Sequence, residues 1–126
     1  MYLELYNDSH FEQVSSLFNE VKEYFPNIDI EEIKKEPHLF CCFKDGIFWG
    51  CLWLDNWNKN HCYMGGFSKR KNPYTLEFIN ILVNHTFKNY GISRIYSDTE
   101  NRHTRLCLRK AGFKKINNNL YERIKI

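Results

Sequence analysis

The stretch N-R-H-T-R-L-C-L-R-K-A-G-F, from Asn101 to Phe113, decides the fold. It follows a strand-like run at Ile92–Asp98 and begins with an asparagine, a residue that often caps a helix. The segment up to Ala111 has helical periodicity, and Gly112 is a typical helix stop. Phe113 then opens a further strand-like run. The stretch therefore predicts a helix packed against a sheet, between two strands.

Outward from this stretch, the remaining sequence predicts a mixed α/β domain. Four helices begin at the capping residues Ser9, Asp29, Asn72 and Asn101. Asp45-Gly46 predicts a tight hairpin. Alternating or apolar runs predict seven strands, at Met1–Tyr6, His38–Lys44, Ile47–Trp57, Lys59–Phe67, Ile92–Asp98, Phe113–Ile116 and Leu120–Ile126. The order is β-α-α-β-β-β-α-β-α-β-β, and the sheet is antiparallel in its first half with one parallel pair.

Length and composition favour one domain over residues 1–126. A chain of 126 residues suits a single core, and 43% hydrophobic with 17% aromatic residues excludes disorder. The net charge of +3 allows a phosphate-bearing ligand without requiring one. The N-terminus lacks signal-peptide features, and no run of about 18 apolar residues is present. We therefore expect a cytoplasmic protein that does not enter a membrane.

The cysteines predict neither disulfides nor a metal site. The chain has five cysteines, an odd number, and their spacing does not resemble a disulfide framework. His61-Cys62 and Cys41-Cys42 lie in predicted strands, where adjacent side chains point to opposite faces. We therefore expect reduced, buried thiols and no metal.

A basic loop precedes the third predicted helix. Lys69, Arg70 and Lys71 lead directly into Asn72-Pro73, where free amides and the helix dipole favour an anion. A diphosphate would suit this position, because three cationic side chains add charge-assisted contacts. The alternative is a solvated basic loop before a well-capped helix, and the residues alone leave both open.

Three arginines share one face of the helix that follows Asn101. Arg102, Arg105 and Arg109 are spaced at i, i+3 and i+7. Such a stripe is commonly a solvated face. It would otherwise form a surface for a polyanion, such as RNA or a cofactor phosphate.

The chain from about Tyr63 to Glu122 resembles the GNAT superfamily of acetyl-CoA-dependent N-acetyltransferases. The family pattern is a strand, a loop of Q/R-x-x-G-x-G/A, a long helix, a strand, an Asn-led helix and a terminal G-F. Arg70 matches the first position of the loop, Asn101 the asparagine, and Gly112-Phe113 the G-F. The resemblance implies the GNAT fold and acetyl-CoA as cosubstrate.

The resemblance also implies where acetyl-CoA binds. In the family, the strand before the loop binds the pantetheine arm and the loop amides hold the pyrophosphate. The cofactor-binding residues implied here are Gly65, Gly66, Phe67, Lys69, Arg70, Lys71, Asn72, Thr75 and Asn101.

Two features depart from the family pattern. Pro73 and Thr75 replace the two loop glycines, and proline has no N–H to donate. Leu108 stands where many members have a general-acid tyrosine, although the branch that acetylates ribosomal proteins also tends to have leucine there.

Acetyl transfer requires a deprotonated amine, a polarised thioester carbonyl and a proton for the departing thiolate. The candidate catalytic residues are His61, Tyr63, Asp98 and Asn101, with Glu100 as a further candidate base. Ser97 or Cys107 could assist the leaving thiol. A backbone N–H of the central strand could polarise the carbonyl.

The sequence thus favours an N-acetyltransferase that acts on an amine of a protein or small molecule, as a monomer or homodimer. The alternative is an inactive GNAT-fold module of viral origin that acts through protein contacts. Nucleic-acid binding ranks last, because the net charge is small. An open cleft between the strands at Tyr63–Phe67 and Ile92–Ser97 would favour the enzyme. A cleft filled by Phe67, Tyr74 or tryptophan side chains would favour the module.

Overall fold

A computed structural model describes the whole chain, Met1 to Ile126. Four helices are present: α1 (Phe11–Val21), α2 (Ile30–Ile33), α3 (Thr75–Asn89) and α4 (Arg102–Lys110). The seven strands are β1 (Tyr2–Leu5), β2 (Leu39–Lys44), β3 (Ile47–Asp55), β4 (His61–Ser68), β5 (Arg94–Asp98), β6 (Lys114–Lys115) and β7 (Leu120–Ile124). The predicted element order and mixed α/β class are confirmed. None of the helices combines the length and apolar character needed to span a bilayer.

All seven strands form one sheet, in the order β1-β2-β3-β4-β5-β7-β6. The first four strands pair antiparallel with their sequence neighbours. β4 and β5 pair in parallel across α3, and β7 inserts antiparallel between β5 and β6. The sheet is therefore antiparallel in its first half with one parallel pair, as the sequence predicts.

The two faces of the sheet carry separate cores. One core lies under α3 and α4, and its fully buried members include Leu82, Ile95, Leu108 and Tyr121. The other lies under α1 and contains Val14 and other apolar residues, among them Leu17, Phe18, Phe43, Trp53 and Phe67. The sheet is thus buried on both faces where helices cover it.

The sequence misplaces two helix starts. Before α1, the capping box uses Asn7 and His10 rather than Ser9 and Glu12, because a short 3-10 helix precedes α1. α3 begins at Thr75, not at Asn72-Pro73. Asn72 does accept a hydrogen bond, but from the Tyr74 N–H at 2.8 Å, which closes a turn before the helix.

α4 matches the prediction closely. Asn101 is its N-cap, and its Oδ1 accepts hydrogen bonds from the Thr104 N–H at 3.0 Å and the Thr104 hydroxyl at 3.2 Å. Gly112 follows the helix with φ of 92°, a left-handed conformation that glycine adopts without strain. The strand predicted at Phe113–Ile116 is reduced to the two residues of β6.

The parallel strands β4 and β5 separate after three pairs. Pairing covers His61–Tyr63 with Arg94–Tyr96, and β4 then continues to Ser68 with no partner on that side. The Ser97 hydroxyl spans the apex by donating to the Met64 carbonyl at 2.9 Å. The result is a V-shaped cleft between the two strands.

Candidate functional site

The cleft contains three adjoining cavities, which we name by the character of their linings. The basic cavity has a volume of about 260 Å³ and lies at the β4–α3 loop. The acidic cavity, of about 400 Å³, lies between β4 and the loop after β5. The apolar cavity, of about 50 Å³, runs under β4 towards α3. Phe25 and Thr104 line all three, so they mark the junction.

The basic cavity has a lining of one charge sign. Lys69, Arg70 and Lys71 contribute from the loop, and Arg102 contributes from the start of α4; no carboxylate lines it. Cations converging at the mouth of a cleft raise the local concentration of anions. This cavity is therefore suited to a phosphate-bearing group.

Backbone amides of two lining residues, Arg70 and Lys71, add donors to this anion site, and further free amides follow them along the chain. Six amides at the loop and the first turn of α3 donate no hydrogen bond within the chain: those of Arg70, Lys71, Asn72, Thr75, Leu76 and Glu77. α3 has 15 residues, so its N-terminus presents a full helix dipole to an anion. The loop therefore offers free donors although it lacks the family glycines.

The loop is held in shape from two sides. Asn72 is only 2% exposed, and its carbonyl oxygen accepts from the Thr75 hydroxyl at 3.2 Å. The His103 Nε2 atom lies 3.2 Å from the same oxygen and ties the loop to α4. On the other side, Arg70 stacks over the Tyr24 ring, 4.3 Å from its centre.

The lining of the acidic cavity carries negative charge. Asp98 and Glu100 are the charged residues in its lining; Asp98 is the last residue of β5, and Glu100 lies two residues beyond it. Trp53 forms part of the wall and packs on Gly65, where an added Cβ would lie 2.5 Å from the indole nitrogen. A protonated amine would be attracted to this half of the cleft.

Solved structures of acetyltransferases share this architecture. An acetyltransferase of the GNAT family from Bacillus anthracis superposes with a TM-score of 0.79 at 14% identity, covering 97% of this chain and 93% of that one. The chain has the GNAT fold. RimL, a ribosomal L7/L12 alpha-N-protein acetyltransferase in complex with coenzyme A, gives 0.77 at 15% identity, covering 98% and 93%. The aminoglycoside acetyltransferase AAC(6')-Ib, also in complex with coenzyme A, gives 0.77 at 11% identity, covering 97% and 93%.

No protein-family model matches the chain, and no curated protein matches it. The TM-scores of 0.77 to 0.79 establish the GNAT fold, and at identities of 11% to 15% the likeness extends to the fold alone.

Within the GNAT fold, most of the predicted cofactor-binding residues lie along the cleft. Gly65, Gly66 and Phe67 line the apolar cavity together with Thr75. Lys69, Arg70, Lys71 and Asn101 line the basic cavity. Asn72 lies beneath the loop and shapes it through its hydrogen bonds. The register between β3 and β4 is continuous through Gly65-Gly66, so these glycines permit close packing and do not form a bulge.

The predicted catalytic residues separate into two groups. Asp98 and Asn101 line the acidic cavity. His61 and Tyr63 line none of the three cavities, because they belong to the paired part of β4. Their rings pack around Tyr96, with centroid distances of 5.1 and 5.3 Å.

The three arginines on one face of α4 have different roles in this fold. Arg105 donates from Nε to the Thr99 carbonyl at 3.2 Å and also bonds the Asn119 side chain. It therefore holds the loop after β5 against the turn before β7. Arg102 lines the basic cavity, and Arg109 is exposed.

Several residues that line the cleft were not predicted from the sequence. Tyr24 and Phe25 follow α1 and reach the cleft only through packing, where Phe25 lies edge-on to Phe67 at 6.4 Å. Arg102 and His103 belong to the predicted α4 segment, but the sequence does not predict how close they lie to the β4–α3 loop. Leu108, at the family's tyrosine position, is fully buried and lines the apolar cavity.

All five cysteines are free and buried. Burial raises the pKa of the Cys107 thiol, whose Sγ lies 3.8 Å from His103 Nε2. Burial, followed by the charge of Asp55, raises the pKa of Cys62 to about 12. The Cys62 and Cys107 thiols are therefore protonated at neutral pH, which argues against either one as a nucleophile.

Proposed function

We propose that this protein is an acetyl-CoA-dependent N-acetyltransferase. The observation that carries the proposal is the division of one open cleft into a basic half with free loop amides and an acidic half beside the apex. A diphosphate suits the first half, and an amine suits the second.

The residues present fit coenzyme A at the basic end. The free amides of the loop and of α3, with Lys69, Arg70 and Lys71, would hold the diphosphate. Thr75 contributes an amide of this set, and Arg102 and Asn101 line the opposite wall. When bound, acetyl-CoA supplies the activated acetyl group.

The open edge of β4 would bind the arm and polarise the carbonyl. The Met64 carbonyl points across the apex to Ser97, which shows which edge of β4 faces the cleft. Because alternate residues of a strand present both backbone groups to the same edge, the Gly66 N–H and C=O face the cleft as well. We assign the Gly66 N–H as the donor to the developing oxyanion.

Asp98 is the proposed base. It lines the acidic cavity beside the apex, where a cationic amine would be held before losing its proton. Glu100 adds a second negative charge, and Asn101 positions α4 rather than exchanging a proton, because its side chain is committed to the helix cap. His61 and Tyr63 are left out because they lie away from the cavities.

The proposal is tested by following release of the CoA thiol with a panel of amines. We expect acetyl-CoA-dependent turnover that falls roughly 100-fold in kcat for Asp98→Asn, the typical size of a general-base contribution. Arg70→Ala should instead raise the KM for acetyl-CoA. Turnover by the purified protein that neither variant changes would contradict the assignment.

The inactive-module alternative predicts a filled cleft. Phe67 lines the apolar cavity, but its ring packs against Phe18 of the α1 core at 5.3 Å, and Tyr74 packs against Trp49 at 5.1 Å. Trp53 lies in the wall of the acidic cavity and leaves about 400 Å³ free. These positions support the enzyme over the module.

A further inference from the structure

Part of the sheet face that α1 covers is left uncovered on β4 and β5. Tyr63 and Tyr96 are directly paired across these strands, so their rings lie on the same face, together with Trp53 of the α1 core. Both tyrosines are half-buried, and neither belongs to the α1 core or to the core under α3 and α4. We name these two rings the aromatic floor.

The aromatic floor adjoins the acidic cavity. Gly65 and Asp98 line that cavity, and Tyr63 and Tyr96 precede them by two residues on the same strands. Two residues along a strand span ~6.6 Å and return to the same face of the sheet. The two rings lie side by side, with centroids 5.3 Å apart and planes inclined by 34°. A molecule that extends from the cavity in this direction therefore crosses aromatic surface.

Asp55 provides a free carboxylate on the far side of the aromatic floor. It is paired directly across from Tyr63 and forms no side-chain hydrogen bond or ion pair within the chain. The neighbouring carboxylate of Glu122 is already held by Arg94 at 3.2 Å. The negative charge of Glu36 lies close enough to add to the raised pKa of Asp55. A cation is favoured at this position, because tyrosine ring faces also attract positive charge.

The separation of Asp55 from Asp98 suits two amines on one short chain. Asp55 is on β3 and Asp98 on β5, two strands away, and Asp98 lies two residues further along the sheet. Regular strand spacing and rise place their Cα atoms about 12 Å apart. A charge-assisted contact of ~2.8 Å at each carboxylate leaves about 6 Å between the two nitrogens, which a chain of about four or five carbons spans.

The aromatic floor offers side chains and no open strand edge. At Tyr63, β4 is paired with β3 on one side and with β5 on the other. A peptide lying there would gain no backbone hydrogen bonds from the sheet, whereas extended peptides are commonly bound along an open strand edge. A methylene chain requires no hydrogen bond and is stabilised by burial against the rings. This difference favours an alkyl chain over a peptide.

We infer that the acceptor is a linear alkyl diamine, with one nitrogen at Asp98 and the other held as an ammonium between Asp55 and the Tyr63 ring. The inference rests on the proposed function, because it assumes that Asp98 accepts the proton of the reacting amine. In the transfer, the nitrogen at Asp98 bonds to the acetyl carbonyl carbon and the C–S bond breaks. The proton lost by that nitrogen balances the one gained by the CoA thiolate. The second nitrogen keeps its proton and holds the chain in place.

Rates of CoA thiol release with putrescine, ethylenediamine, n-butylamine and a tetrapeptide with a free amino terminus test this inference. We expect kcat/KM for putrescine to exceed that for n-butylamine roughly tenfold, mainly through a lower KM, because one charge-assisted contact is added. Ethylenediamine should lose this advantage, since it is too short to reach Asp55. Equal values for putrescine and n-butylamine, or faster acetylation of the peptide, would overturn the inference and leave the proposed function intact. The absence of turnover with every acceptor would overturn both.

Variants of Asp55 and Tyr63 locate the second ammonium. Asp55→Asn should lower the preference for putrescine over n-butylamine roughly tenfold, because the charge-assisted contact is lost. Glu20→Gln, which removes a negative charge from the exposed side of α1, is the control and should keep the preference. Tyr63→Phe should also keep it, and Tyr63→Leu should lower it, because the ring face contacts the cation. A preference that survives Asp55→Asn would overturn the inference. If Tyr63→Leu does not fold, the Asp55 variant decides.

Discussion

The carboxylate of Asp55, at the end of β3, has no polar partner that offsets its burial. It is half-buried and forms no side-chain hydrogen bond or ion pair within the chain. Burial raises its pKa, and the negative charge of Glu36 raises it further. The folded protein therefore binds this proton more tightly than the unfolded chain does, so stability falls as pH rises from the unfolded pKa through the folded one.

Asp55→Asn should remove this loss. We expect the variant to have a higher Tm than the parent protein at pH 7, and the difference to disappear at acidic pH, where Asp55 is protonated. Thermal unfolding measured by circular dichroism between pH 3 and pH 8 gives both curves. A difference in Tm that does not grow with pH would contradict the assignment.

At the scale of the element, α4 links the sheet to the loop of the basic cavity. His103 Nε2 lies 3.2 Å from the Asn72 carbonyl, and Asn72 in turn fixes Tyr74 and Thr75 through its own hydrogen bonds. Without glycines, the loop depends on this support to keep its free amides in place. His103 is therefore a positioning residue.

Two substitutions of His103 distinguish a role in positioning the loop from a contribution of charge to binding. His103→Ala should weaken CoA binding about threefold to tenfold, the size of one neutral hydrogen bond, and should speed amide exchange in residues 70–75. His103→Gln should restore both, because its amide nitrogen can donate to Asn72. His85→Ala, on the exposed side of α3, is the control. A glutamine variant that behaves like the alanine variant would contradict this role.

Gly112 allows α4 to end and the chain to turn back to the sheet. Its φ is 92°, and an added Cβ would lie 2.9 Å from the Arg123 Nε atom. Gly112→Ala should cost more stability than Gly91→Ala, where φ is 65° and the space is open. We expect losses of roughly 1 kcal/mol for the strain at Gly91 and more at Gly112. Denaturant unfolding measures both, and equal losses would exclude a role for the Arg123 contact.

Elements defined by local chemistry were predictable from the sequence. The cap at Asn101 and the stop at Gly112 depend on hydrogen bonds and dihedral angles within a few residues. The start of α3 was misplaced because the same asparagine can cap a helix or close a turn, and here its oxygen bonds Tyr74. β6 was overestimated because its length depends on pairing with β7, which inserts beside β5.

At the scale of the whole molecule, the cleft depends on contacts between distant parts of the chain. Lys69, Arg70 and Lys71 were recognisable from their sequence alone. Phe25 was not, because its position beside Phe67 is set by the packing of α1 on the sheet. Likewise, only the point where β4 and β5 separate distinguishes Asp98, in the cavity, from Tyr63, in the paired strands.

The separation of charge along the cleft is the feature on which the functional proposal rests. Its basic residues lie on the β4–α3 loop and the start of α4, and its acidic residues lie at the end of β5 and just beyond it. No single segment of the sequence contains both, so the arrangement exists only in the folded chain.

Calorimetric titration of acetyl-CoA into the purified protein tests this proposal most directly. We predict saturable binding at one site per chain, with an affinity that falls at least tenfold in Arg70→Ala, because a charge-assisted contact to the diphosphate is lost. Lys114→Ala, on β6 and outside the cavities, should leave the affinity unchanged. The absence of any binding at millimolar acetyl-CoA would contradict the proposed function.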